Sequence, residues 1–145
     1  HSWIIIRLGE IYLNYAEAMN EAYGPDGKGI YGKSAREAVN EVRGRVGMPE
    51  VLADSKEEMR EKIRHERRVE LAFEDHRFWD VRRWMTAPDD LNAPLKGVKV
   101  TRLSYNSFEY QSVEVESRSF KRSMYFYPIP QNELNIRGWP QNPLW

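Results

Sequence analysis

The chain has no cysteine, no long apolar run and no excess of either charge. Without cysteine there are no disulfide staples, no thiol nucleophiles and no thiolate metal sites. The compartment stays open, because a domain of 145 residues buries enough surface to fold without bridges. No stretch approaches the ~20 consecutive apolar residues that span a bilayer. Lys and Arg number 22 and are matched by 22 Asp and Glu, so there is neither a broad unopposed basic face for nucleic acid nor an acidic tail. An initiator methionine and a signal peptide are also missing. The chain opens at His1-Ser2 and enters a helical pattern almost at once, which reads as a piece of a longer polypeptide and leaves secretion open. What is present, 41% hydrophobic residues of which many are aromatic, is too apolar for a disordered chain.

Ile4, Ile5, Leu8, Ile11, Tyr12, Tyr15, Ala18, Met19 and Ala22 recur at steps of three and four, which predicts a helix with that face inward. Gly24-Pro25-Asp26-Gly27 ends it. Ser34 with Glu37 forms a capping box for a second helix with the stripe Ala35, Ala38, Val39, Val42 and Val46, closed by Gly47 and Pro49. Ser55 and Glu58 repeat that signal for a third helix reaching Glu74, with Met59, Ile63, Val69 and Phe73 inward. A fourth is expected from His76 to Met85, closed by Pro88. The period then changes to two. Val98/Val100, Val113/Val115 and Tyr125/Tyr127 read as strands, Pro130 suits the start of a last short helix, and the tail Trp139–Trp145 reads as irregular but packed. The expected fold is mostly α (α+β). It has a helix pair over residues 1–49, a second pair over 50–88, and short strands, a short helix and a packed tail over 89–145.

Several motifs invite a functional reading. Gly27-Lys28-Gly29-Ile30-Tyr31-Gly32-Lys33-Ser34 fits both the P-loop and, in its first six residues, G-x-G-x-x-G. Both patterns need a strand feeding the glycines, and here a helix precedes them. No strand ending in a magnesium-binding Asp follows, and Ser34 is already used as a cap. A helix–helix connection accounts for the segment better. His65-Glu66 begins like H-E-x-x-H, but Val69 occupies the second histidine position. On one helix His65 and His76 would lie about 16 Å apart, too far to share a metal. No metal, cofactor or catalytic residue is assigned.

Glu66, Glu70 and Glu74 form an i, i+4 ladder with Arg67, Arg68, Arg77, Asp80, Arg82 and Arg83 nearby. Paired carboxylates can do acid/base work in a glycosidase. Carboxylates beside an apolar stripe must, however, be paired, and arginines supply two-pronged partners. Glu66, Glu70, Glu74, Arg77, Asp80 and Arg83 therefore read as a structural ion-pair network. Among the many aromatic residues, Tyr105, Phe108 and Tyr110 lie in a Ser/Asn-rich turn region. These three are the candidates for exposed rings that stack on sugars. Ile5-x2-Leu8-Gly9-x2-Tyr12, with Ala35-x3-Val39-x2-Val42 and Pro49, follows the tetratricopeptide pattern, in which small Gly9 and Ala35 would let two helices approach closely. A single such unit cannot bury its own apolar face.

The order of blocks is more specific than any one of them. Arg7-Leu8-Gly9-Glu10-Ile11-Tyr12-Leu13-Asn14-Tyr15-Ala16-Glu17-Ala18 comes first, followed by Val42-Arg43-Gly44-Arg45-Val46-Gly47-Met48-Pro49. Next stands the run from Ile63-Arg64-His65-Glu66-Arg67-Arg68-Val69-Glu70 through Arg77-Phe78-Trp79-Asp80-Val81-Arg82-Arg83-Trp84. Last is Tyr127-Pro128-Ile129-Pro130-Gln131-Asn132-Glu133-Leu134 with Gln141-Asn142-Pro143. Together these resemble the C-terminal part of the SusD/RagB family. The resemblance implies a surface-exposed outer-membrane lipoprotein that is mostly α, with tetratricopeptide-like helix pairs. It also implies binding of oligosaccharides without catalysis, and their delivery to a TonB-dependent, SusC-like transporter during nutrient uptake. The lipid anchor would lie outside this segment, and no nucleic acid is involved. The family's sugar-binding aromatics lie mostly in other portions, so none is carried over by motif. Two other readings remain: a protein-interaction module that docks a transporter without binding sugar, and a glycoside hydrolase using the glutamate ladder.

Overall fold

A computed structural model describes residues 5–145, so Ile4 lies outside the described residues. In chain order the elements are α1 (Leu8–Tyr23), α2 (Ala35–Gly44), α3 (Lys56–Glu70), α4 (His76–Arg83) and α5 (Ala87–Leu91). After them come β1 (Leu95–Ser104), β2 (Ser107–Glu116), a 3-10 turn at Arg122–Tyr125 and α6 (Gln131–Arg137). Helix, the 3-10 turn included, accounts for 46% of the described residues, and the fold is mostly α with a small β region, as expected. The chain forms two compact units, one ending at Arg77 and the other running from Phe78 to Trp145.

In the first unit α1 packs against both α2 and α3. Leu13, Ala16 and Met19 of α1, Ala35, Ala38, Val39 and Val42 of α2, and Met59 and Ile63 of α3 build the core, with Val51, Ala53 and Leu71 closing it. Local chemistry starts the helices where the sequence says. The Ser34 hydroxyl accepts from the Glu37 amide at 3.2 Å, and the Glu37 carboxylate accepts from the Ser34 amide at 2.8 Å. Ser55 caps α3 by accepting from the Glu58 amide at 3.1 Å.

Which faces turn inward differs from the sequence reading. Leu8 and Ile11 are exposed at 67% and 49%, and Ala18 and Ala22 also face outward. The buried face of α1 lies one residue, or about 100°, around the helix. Met19 is buried and Tyr12 and Tyr15 pack against the core as expected, but apolar residues occupy both faces and periodicity alone did not separate these three from the outward ones. The inward face also contains Asn20, fully buried, whose amide donates to the Lys56 carbonyl at 2.9 Å and so ties α1 to the start of α3. Gly9 makes room for something other than a neighbouring helix. A Cβ there would meet Arg7 Nη1 at 2.7 Å and Glu70 Oε1 at 3.1 Å. The second helix ends at Gly44, which leaves Val46 exposed.

The third helix stops at Glu70 rather than Glu74. Leu71 leaves the helical conformation, and Phe73 and Asp75 take positive φ values of 63° and 62°. That turn swings Leu71 into the core and puts Phe73 in solvent, and Val69, still within α3, is exposed as well, so only Met59 and Ile63 of the expected stripe are buried. The fourth helix ends at Arg83. Pro88 does not close it but sits in the first turn of α5, an additional helix, where the missing N–H has no intrahelical acceptor to lose.

The second unit has a smaller core of Val81, Ala87 and Phe120, with Leu91, Met124 and Tyr125 packed against it. β1 and β2 form an antiparallel two-stranded hairpin pairing Val98 with Ser112, Val100 with Tyr110 and Arg102 with Phe108. Register shifts interrupt the ladder between Leu95 and Lys96 and between Arg102 and Ser104. Tyr125/Tyr127 is not a strand, because Tyr125 ends the 3-10 turn. The tail is fixed by hydrogen bonds more than by burial. The Gln141 side chain accepts from the Ile129 amide at 2.7 Å and donates to the Ile129 carbonyl at 2.9 Å. The Trp145 indole donates to the Ser123 and Phe126 carbonyls, both at 3.0 Å, while half of that residue remains exposed.

Candidate functional site

In the first unit the glutamate ladder is saturated by arginines from distant positions. Arg7, immediately before α1, grips Glu74 with two prongs, Nε to Oε2 at 2.8 Å and Nη2 to Oε1 at 2.9 Å. Its Nη1 donates to Glu70 Oε1 at 2.6 Å. Glu70 also accepts from Arg45 Nη2 at 2.8 Å, and Glu66 accepts from Arg43 Nη1 at 2.6 Å. The three carboxylate side chains are 11–19% exposed. Arg7 holds the Glu74 carboxyl below its ordinary value of 4.5, because hydrogen bonding to the guanidinium outweighs desolvation. The same bonds raise the already high pKa of Arg7. A carboxylate bonded to guanidinium in this way is a poor proton acceptor or nucleophile.

Sequence spacing found these carboxylates but not their partners, Arg7, Arg43 and Arg45. Arg67, one of the arginines expected nearby, is buried and donates to Asn14 Oδ1 at 2.6 Å. Arg77 ends the first unit. Asp80 and Arg83 belong to the second, where they pair at 3.0 Å within α4. The only local signal for the missed partners was an arginine at a helix start and an Arg-Gly-Arg after a helix stripe.

The glycine-rich connection does not converge on a phosphate site. Lys33 is paired with Glu41, Lys28 with Glu37 at 2.6 Å, and Ser34 caps α2. Among the described residues no group of three or more acidic or histidine side chains is placed to hold a metal. No helix among them is long and apolar enough to cross a membrane.

The hairpin presents the candidate aromatic residues. Opposite residues on paired strands share a face, so Phe108, Tyr110, Val98, Val100 and Arg102 line one side. Phe108 and Tyr110 are two residues apart on β2, which sets their side chains about 7 Å apart along the strand. Tyr110 is 70% exposed, Phe108 47% and Tyr105 83%. Tyr105 lies in the turn, where its carbonyl accepts from Arg102 Nη2 at 3.3 Å and the Arg102 guanidinium lies 5.5 Å from its ring centroid. The result is a solvent-facing strip of aromatic rings with hydroxyls and a cation at its turn end.

The chain thus combines a helix-rich unit held by an arginine–carboxylate lattice with a unit that carries an exposed aromatic hairpin. The chain belongs to the SusD family, whose sequence model matches residues 1–145. Among solved structures it is similar to a SusD-like protein from Bacteroides fragilis NCTC 9343, with 38% identity and a TM-score of 0.85 over 99% of this chain and 26% of that one. A SusD superfamily protein from Parabacteroides distasonis ATCC 8503 matches at 21% identity and TM-score 0.63, covering 99% of this chain and 27% of that one. A SusD-like carbohydrate binding protein from Bacteroides vulgatus ATCC 8482 matches at 20% identity and TM-score 0.57, covering 92% and 29%. These last two show the fold alone. The chain thus spans little more than a quarter of the length of the structures it matches. Among curated proteins none matches.

Proposed function

We propose that the chain is part of a non-catalytic oligosaccharide-capturing protein of an outer-membrane nutrient-uptake system. The hairpin face of Phe108 and Tyr110, with Tyr105 at the turn, meets the sugar. The observation that carries this reading is the exposure of those three rings on a hairpin that pairs with no further strand among the described residues. Family membership supports it, as does the carbohydrate-binding description of one fold relative. Aromatic faces dock the C–H side of a pyranose, while Arg102 and the tyrosine hydroxyls bond its hydroxyl groups. The helices α1 and α2 make a tetratricopeptide-like pair, and residues 89–145 carry the sugar-facing surface. Glu66, Glu70, Glu74, Arg77, Asp80 and Arg83 are structural, holding chain segments together through guanidinium partners. A lipid anchor outside the chain places the protein at the cell surface, and a SusC-like TonB-dependent transporter receives the ligand.

Calorimetry of the full-length protein against a glycan panel tests the reading. Binding of at least one oligosaccharide, weakened about tenfold or more by Tyr110→Ala with an unchanged melting temperature, is expected. Failure to bind any glycan would remove the proposal. A second reading, a protein-docking module, is favoured by the outward apolar stripe of Leu8 and Ile11 on α1. Capture of the transporter that survives Leu8→Glu in α1 would exclude that stripe as the docking face.

A further inference from the structure

The second unit holds a groove distinct from the hairpin face. It has a volume of about 560 Å³, and its lining includes Arg82, Met85, Arg122, Tyr125, Phe126 and Leu144. Phe126 and Met85 are each 63% exposed, so its apolar wall is open to solvent. Its cations differ from those of the first unit, where Arg7, Arg36, Arg43, Arg45 and Arg60 all grip carboxylates.

Arg82 is packed between aromatic rings, and no carboxylate pairs with it among the described residues. Its guanidinium carbon lies 3.6 Å from the centroid of Phe78 and 5.2 Å from that of Phe120. Phe120 in turn meets Tyr125 edge-on at 5.0 Å. One prong, Nη1, donates to the Phe78 carbonyl at 2.9 Å, while the buried Nε has no acceptor. Arg122 is exposed at the start of the 3-10 turn, and no carboxylate pairs with it among the described residues. The surrounding sequence does not supply one. Residues 117–132 contain Arg118, Lys121 and Arg122 and no acid. Glu133, the next acidic residue, faces Arg137 at 3.6 Å, and Arg118 is spent on the Ala93 carbonyl at 2.9 Å. Asp80 pairs with Arg83, and Asp90 accepts from Thr86 Oγ1 at 2.7 Å.

A purely apolar occupant would bury two guanidinium charges with no carboxylate beside them and most of their N–H donors unmet, which costs more than it gains. A planar or tetrahedral oxyanion satisfies them with charge-assisted, forked bonds, and the aromatic wall accepts an apolar ring face. We propose that this groove binds an acidic sugar residue, its anionic group between Arg82 and Arg122 and its pyranose ring against Tyr125 and Phe126. The proposal rests on the oligosaccharide-capture reading and names the ligand class at a second contact. Carboxylate and sulfate share the required chemistry.

The test is calorimetry of the full-length protein with three pairs of probes: oligogalacturonate against its methyl ester, a chondroitin sulfate oligosaccharide against its desulfated form, and hexaglutamate against hexaglutamine. Expected is binding of at least one acidic oligosaccharide about tenfold or more tighter than its neutral counterpart, an advantage that shrinks as ionic strength rises. Arg122→Gln, at an exposed position, removes that advantage without lowering the melting temperature, and Arg122→Lys keeps part of it. Which acidic oligosaccharide responds assigns carboxylate or sulfate. Equal affinity for acidic and neutral sugars, or an Arg122→Gln variant that binds the acidic one unchanged, overturns the proposal while leaving neutral-glycan capture intact. Absence of any glycan binding overturns both readings. Hexaglutamate displacing the acidic oligosaccharide at equal affinity reassigns the groove to an acidic polypeptide and also overturns the proposal.

Discussion

Glu70 accepts from Arg7 and Arg45, so removing its charge leaves Arg45 without its carboxylate, while Arg7 is shared between Glu70 and Glu74 and loses one of two counter-ions when either is neutralised. At Glu70, with only 11% of its side chain exposed, Glu70→Gln is expected to lower stability by about 1–3 kcal/mol, read as a shift in denaturant midpoint. An unshifted midpoint would show that the lattice contributes no stability. Glu74 adds a pH signature. Its pKa is depressed in the folded state, so its contribution is complete above the unfolded value of about 4.5 and disappears as pH falls through the lower folded value. The wild-type protein should therefore lose stability on acidification more steeply than Glu74→Gln in melting curves taken at and below pH 4.5. Identical slopes would mean that Arg7 does not favour the charged form.

Helices α2 and α3 show what was legible at the scale of the element. Ser34 and Ser55 stand as caps where the spacing of Ser and Glu put them, because capping depends on residues within one turn. Ser34→Ala should cost about 1 kcal/mol, with Thr restoring most of it, measured by urea denaturation. The strands at Val98/Val100 and Val113/Val115 were also readable from alternation. What escaped depended on distant partners or on a single backbone turn. The inward face of α1 is chosen by α2 and α3, and an outward stripe of similar apolar character competed with it. The early end of α3 is fixed by Leu71 reaching the core, at the cost of positive φ at Phe73 and Asp75. Of the candidate surfaces, the exposure of Tyr105, Phe108 and Tyr110 was legible from their polar neighbourhood. The Arg82–Arg122 groove was not, since forty residues separate its two cations.

Across the whole molecule the two units differ in how much they bury. Among the described residues the first has a core of twelve buried side chains, including the fully buried Leu13, Met59 and Ile63, and the second a core of three. Hydrogen exchange should therefore protect amides in α1–α3 longest and release those of the hairpin and α6 first. Equal protection in both units would contradict that ranking. Ile63→Ala in the larger core should cost about 2–5 kcal/mol in a denaturation experiment. Gly9 carries a consequence beyond its own helix. With Arg7 pinned by Glu70 and Glu74, even a methyl group at position 9 must displace the guanidinium, though the residue performs no chemistry. A survey of tolerated substitutions would flag this position with the severity usually taken as the mark of an active centre. In this architecture, intolerance to change is a record of crowding around a buried charge and a poor guide to where a ligand sits.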